Sequence, residues 1–117
     1  LDSGRRMLAR DDALSHFDHA LNATLLVAHM ALRQGDAVGL MSFGTELRHV
    51  PPSRGAGTVD VLMDAVYDLK PSTVASDYPG AAAELLRRQP RRALLIMVTN
   101  VRDEDIDELL LAVQQLK

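Results

Sequence analysis

Apolar side chains recur at intervals of three and four between positions 14 and 32: Leu14, Phe17, Leu21, Leu25, Ala28 and Leu32 fall on one stripe. That period predicts a helix over 15–34 with its apolar face turned to a core. Leu26, Val27 and Met30 widen the apolar surface, so this helix is expected to be covered on more than one side. Ser15 or Asp12 can cap its start, and Gly35 followed by Asp36 stops it. The pattern then changes. Positions 37–43 (AVGLMSF) form a nearly continuous apolar run of strand length, as in a strand covered on both faces. Gly44-Thr45 predicts a tight turn, and 46–50 (ELRHV) alternates polar with apolar, which suits an antiparallel edge strand. Pro51-Pro52 is expected to end it, because proline cannot donate to a ladder.

A loop over 53–57 leads into a second amphipathic helix, 58–69, marked by Val59, Leu62, Met63, Val66 and Leu69. Pro79 suits the first turn of a third helix that runs to Arg88. Positions 93–98 (ALLIMV) predict the most deeply buried strand. A last helix begins near Asp103, with Ile106, Leu109, Leu110, Val113 and Leu116 on its inner face. The order is strand stub, helix, strand, strand, helix, helix, strand, helix. It predicts an α/β fold: a doubly wound, mostly parallel sheet with helices on both faces and one antiparallel edge strand.

The 117 residues bound this to a single domain over 1–117, or part of one. Leu1 rather than Met opens the chain, so an excised piece of a longer protein is expected. Thirteen Lys and Arg stand against 16 Asp and Glu, a formal charge of −3, which argues against nucleic-acid binding through bulk charge. Two Phe, two Tyr and no Trp leave no stacking platform for bases or sugars. The absence of Cys excludes disulfides, thiolate metal sites and a Cys nucleophile. The stretch 19–32, without Asp, Glu, Lys or Arg, is too short and too polar to span a membrane, so no membrane contact by this segment is expected.

In open α/β sheets, ligands sit beyond the carboxyl ends of the strands. Three such ends can be read: 1–7 (LDSGRRM), 76–78 (SDY) and 98–100 (VTN). Each places short oxygen-bearing side chains where a crevice is expected. Such oxygens suit a hard cation, Mg²⁺ or Mn²⁺, which seeks near-octahedral oxygen coordination.

These three segments, with QGDAVGLMSFG at 34–44 and RRALLIMVTN at 91–100, resemble a bacterial family of unknown function. Its members carry a von Willebrand factor A-like domain and are often encoded beside MoxR-type AAA+ ATPases. The resemblance covers essentially the whole chain, and QGD-x-VGL-x-x-F is its most specific element. It implies a doubly wound sheet against which this chain looks truncated at both ends. The wider superfamily holds a divalent cation at a metal-ion-dependent adhesion site, Asp-x-Ser-x-Ser after the first strand, with a Thr and an Asp from later loops. Laid on this chain, Asp2 matches the first Asp, whereas Gly4 and Arg6 replace the two serines. Ser76 falls near the Thr, with Asp77 beside it, and Asn100 replaces the last Asp. Any metal would therefore rest on Asp2, Ser76, Asp77 and Asn100. The favoured expectation is a metal-free crevice in which arginine donates to Asp2 and Asp77 as a fork.

The resemblance implies a protein-binding domain without catalysis or resident cofactor. Its docking face would comprise Asp2, Gly4, Arg5, Arg6, Ser76, Asp77, Thr99 and Asn100, with Arg5 or Arg6 meeting a partner's acid. It further implies a MoxR-type ATPase as partner in assembling or remodelling protein complexes. The domain would lie in the bacterial cytoplasm, with the full-length protein anchored in the inner membrane. Two rival classes stand beside it: an Asp2-dependent phosphotransfer or hydrolytic enzyme, and a structural domain that forms homo-oligomers.

The remaining features have simpler readings. His16 and His19 lie one helical turn apart but lack a third zinc ligand in sequence. His29 and His49 have no evident partner. Arg87, Arg88, Arg91 and Arg92 read as a solvated turn rather than a docking patch. The acidic run 103–108 complements the positive end of the last helix. Asn22-Ala23-Thr24 lies inside an apolar helix, where no glycan fits.

Overall fold

The computed structural model describes residues 1–11, 13–44 and 46–117. Asp12, one of the two candidate caps, and Thr45, half of the expected turn, lie outside the described residues. The chain opens with an extended stub, a 3-10 turn over Arg5–Leu8, and two very short antiparallel strands, β1 (Arg10–Asp11) and β2 (Leu14–Ser15). The sequence pattern carries no sign of that ladder.

Helix α1 spans His16–Arg33. The Ser15 hydroxyl accepts from Asp18 N–H at 3.1 Å while Ser15 N–H donates to the Asp18 carboxylate at 3.0 Å. This reciprocal capping box satisfies donors that a helix start leaves open. Phe17 and Ala28 are buried, and Gly35 follows the helix at φ 89°, a left-handed conformation that glycine adopts without steric cost. Leu26, Val27 and Met30 are exposed, so the expected cover on the second side of this helix is not found.

Strand β3 (Val38–Ser42) pairs antiparallel with β4 (Arg48–Ser53). The ladder runs through Pro51 and Pro52, where the sequence reading ends it. The register shifts between the pairs Val38–Ser53 and Leu40–Val50. An irregularity of this kind on an outer strand is where a sheet tolerates residues that cannot donate. Helices α2 (Thr58–Val66), α3 (Tyr78–Arg88) and α4 (Ile106–Leu116) follow, the last preceded by a 3-10 turn over Asp103–Asp105.

Two apolar cores flank β3. Leu40 packs with Phe17 and Ala28 of α1 and with Leu62 and Val66 of α2. Met41, its neighbour, packs with Tyr78, Ala81 and Ala82 of α3 and Ala112 of α4. Period-2 alternation along β3 thus serves a core on each face.

The structure is mixed α/β, but its ladders are two small antiparallel sheets of two strands each. Among the described residues, parallel pairing is limited to a bridge between Asp2 and Phe43. Residues 93–98 do not form the buried strand expected of them. Leu94 is 90% exposed and Ile96 55%. Among the described residues, the one backbone–backbone hydrogen bond joining this run to another segment is Asp2 N–H to Val98 C=O, at 2.9 Å. A strand becomes buried through its neighbours, and apolar composition alone supplies none. No helix among the described residues is long and apolar enough to cross a membrane.

Candidate functional site

The stub 1–3 is held on both sides. Phe43 N–H donates to Leu1 C=O at 3.1 Å, and Ser3 N–H to Phe43 C=O at 2.7 Å, while Asp2 N–H takes Val98 on the other side. The loop before α3 is tied in by Ser72 N–H to Ser3 C=O, 2.9 Å, and Arg5 N–H to Val74 C=O, 2.8 Å. Three chain segments therefore meet at Asp2, whose side chain is fully buried.

Asp2 Oδ1 accepts from Gly4 N–H at 2.8 Å and from the Ser76 hydroxyl. Asp2 Oδ2 accepts from Thr99 Oγ1 at 2.6 Å and, more distantly, from Tyr78 OH at 3.4 Å. Tyr78 OH also lies 3.0 Å from Thr99 Oγ1. Burial holds the Tyr78 phenol above its ordinary pKa, and the charges of Asp2 and Asp105 push the same way. Its ring meets Phe43 edge-on, with centroids 5.9 Å apart.

Gly4 is required by close approach. A Cβ there would lie 2.0 Å from Ser76 Oγ and 3.1 Å from Ser76 Cβ. The Ser76 hydroxyl thus occupies the space that a side chain at position 4 would need.

Arg6 does not bridge Asp2 and Asp77. Its Nε donates to Asp105 Oδ2 at 3.0 Å, and its Nη2 reaches Glu104. The bond from Arg6 holds the Asp105 carboxyl below its usual range. The largely buried carboxylate of Asp105 and the exposed one of Glu104, both from the turn before α4, take Arg6, and the acceptor positions of Asp2 are already filled. Asp77 is also elsewhere: its Oδ1 accepts from Gly80 N–H at 3.0 Å and caps α3. Arg5 is bound through its backbone and leaves its side chain exposed. Asn100 Nδ2 donates to Arg6 C=O at 3.0 Å and lies 2.8 Å from His16 Nδ1.

Two hollows of about 360 Å³ each flank this cluster. One is lined by Arg5, Arg6, Ser76, Tyr78, Asp105 and Glu108 among others. The second is lined by Met7, His16, His19, Thr99 and Asn100 among others. Among the described residues, no three His, Cys, Asp or Glu side chains gather as a metal-holding group. Of the remaining basic residues, Arg87 and Arg88 both pair with Glu84.

Sequence reasoning thus places Asp2, Gly4, Ser76 and Thr99 around one point, as the structure does. It misses Tyr78, Asp105 and Glu104. Tyr78 carried a usable signal, an aromatic hydroxyl two residues from a candidate ligand. Asp105 carried none, since its run reads equally well as a dipole complement.

A family described as "Protein of unknown function DUF58" matches residues 2–116. The chain matches no curated protein and no solved structure.

Proposed function

The chain belongs to the DUF58 family, whose function is unknown, and on that premise we propose that it is a protein-docking module. The observation that carries this reading is the state of Asp2: a carboxylate with no exposure, at the junction of three segments, accepting from four N–H and O–H donors. Such a group locks loops and presents their rim to a partner. Its burial weighs against a nucleophile, which needs access to substrate.

The donor set suits protons better than Mg²⁺ or Mn²⁺. One carboxylate faces two hydroxyls and a phenol, Gly4 adds no oxygen, and Arg6 is committed to Asp105 and Glu104. A hexacoordinate ion would need these donors displaced and room for its waters. The docking face in this reading is the hollow beside Ser76 and Tyr78, with Arg5 on its rim meeting a partner's acid, while Arg6 braces the turn before α4. The wider reading is a von Willebrand A-like, doubly wound domain in the bacterial cytoplasm, part of a protein anchored in the inner membrane and working with a MoxR-type ATPase.

Calorimetric titration of the chain with the MoxR-type ATPase encoded nearest to it tests the partner. Binding that weakens at least tenfold in Arg5→Glu supports the reading; no binding to that ATPase removes it. The thermal midpoint of the chain alone, with Mg²⁺ or Mn²⁺ and then EDTA, tests the metal-free site. An ion at about a hundred times its Kd adds roughly 2.7 kcal/mol. An EDTA-reversible rise that Asp2→Ala abolishes would overturn it.

A further inference from the structure

Helix α3 has opposite surroundings at its two ends. Its first residue, Tyr78, lines a hollow with Glu104, Asp105 and Glu108, from the acidic turn and the start of α4. The helix then runs 11 residues to Arg88, which at about 1.5 Å per residue places Arg87 and Arg88 roughly 15 Å from that acidic end. Arg91 and Arg92 follow just beyond the helix, and all four arginines are exposed.

Neither pole is neutralised from within. Arg87 and Arg88 share the single carboxylate of Glu84. Bonds from Arg87 and then Arg88 pull that carboxyl down to about 2, so it stays ionised yet offsets only one of the two arginines. Among the described residues Arg91 and Arg92 make no ion pair. At the other end Arg6 is taken by Glu104 and Asp105, while Asp103, Asp107 and Glu108 make no ion pair among the described residues. Even with Arg5 and Arg102 counted beside Arg6, the carboxylates of 103–108 outnumber the cations. The helix ends add about half a charge each of the opposite sign, which reduces both excesses and removes neither. Screening over about 8–10 Å at physiological salt keeps the two poles from compensating each other along the helix.

Each pole also holds an exposed apolar side chain, Leu86 at 43% and Ile106 at 42%. An apolar centre inside a polar rim is the make-up of a docking patch. The occupant of the arginine patch is a short acidic segment rather than an extended polyanion, because the chain as a whole carries −3 and repels anions outside the patch. Guanidinium groups pair with carboxylates as bidentate forks. The chain itself exposes such an acidic segment.

We propose that the arginine patch at 87–92 docks the acidic turn 103–108 of a second copy of this chain. The two surfaces differ, so the contact is heterologous. Exposed ion pairs are individually weak, which makes the association weak and strongly dependent on salt.

Sedimentation velocity of the chain tests this, at up to about 1 mM protein and in about 20 and about 500 mM NaCl, where the screening length falls from roughly 20 to roughly 4 Å. The expected result is a mass that rises with concentration in low salt and stays monomeric in high salt. Arg91→Glu combined with Arg92→Glu makes both poles acidic, and Asp103→Arg combined with Asp107→Arg makes both basic. Each double variant should associate at least tenfold more weakly than the parent. Their equimolar mixture should associate again, because every pole then meets its opposite. The proposal is overturned by a parent that stays monomeric in low salt, by association indifferent to salt, or by variants that associate like the parent. A mixture of folded variants, checked by circular dichroism, that stays monomeric overturns it too. Should a variant fail to fold, the salt dependence of the parent still decides, since an apolar contact would persist in 500 mM NaCl.

Discussion

Thr99→Val is the most direct probe of the Asp2 cluster, because valine keeps the shape of threonine and removes one hydroxyl. That hydroxyl donates to Asp2 Oδ2 at 2.6 Å, inside a site where Asp2 has no exposure. The other donor to this oxygen, Tyr78 OH, stands at 3.4 Å and gives little in its present place. No cavity opens, so the loss is that of a hydrogen bond to a charged acceptor, about 1.5–3 kcal/mol net. Tyr78 loses a neighbour at 3.0 Å but can swing toward Asp2, which returns part of the loss. The net expectation is about 2 kcal/mol. Unfolding entropy near 2.1 cal/mol/K per residue makes that roughly 8 °C in Tm for a chain of this length. Urea unfolding at neutral pH, with the m-value checked against the parent, measures it. A change below about 0.5 kcal/mol at unchanged m would refute the reasoning, because a buried carboxylate cannot lose its best donor so cheaply. Tyr78→Phe, acting on the longer contact, should cost less than Thr99→Val; the reverse order would count against the geometry.

Gly4→Ala should be strongly destabilising, since its Cβ would sit 2.0 Å from Ser76 Oγ, and Ser76→Ala should relieve part of that cost; denaturation of the double variant tests this, and strict additivity would contradict the shared space. Arg6→Gln should speed amide exchange over 103–110, because the turn before α4 loses its tie to the chain start; unchanged exchange there would show that α4 docks through its apolar face alone.

Helix α1 was legible in sequence because everything it needs is local: a stripe of apolar residues, a serine before it, an acid three positions on, a glycine after it. Helix α3 was legible for the same reason, through Pro79 in its first turn. The run 93–98 was legible as apolar but not as exposed, since exposure depends on which segment lies alongside. The prolines of β4 misled because their tolerance depends on a register shift that only the pairing with β3 creates. At the site, Asp2, Ser76 and Thr99 could be gathered from strand-end logic. The choice of Arg6 between Asp2 and Asp105 could not, because it turns on which carboxylate is already satisfied by other donors.

The sequence by itself determined the periodicities, the caps, the charge balance and the absence of thiol chemistry, all of which act over a few residues or over the whole composition. Tertiary structure alone decided that Asp2 is a closed hydrogen-bond junction, that Asp77 serves a helix, and that Arg6 braces residues 98 and 99 positions away in sequence. Those outcomes are competitions between acceptors and donors brought within 3 Å, and a linear pattern does not encode which competitor is already occupied.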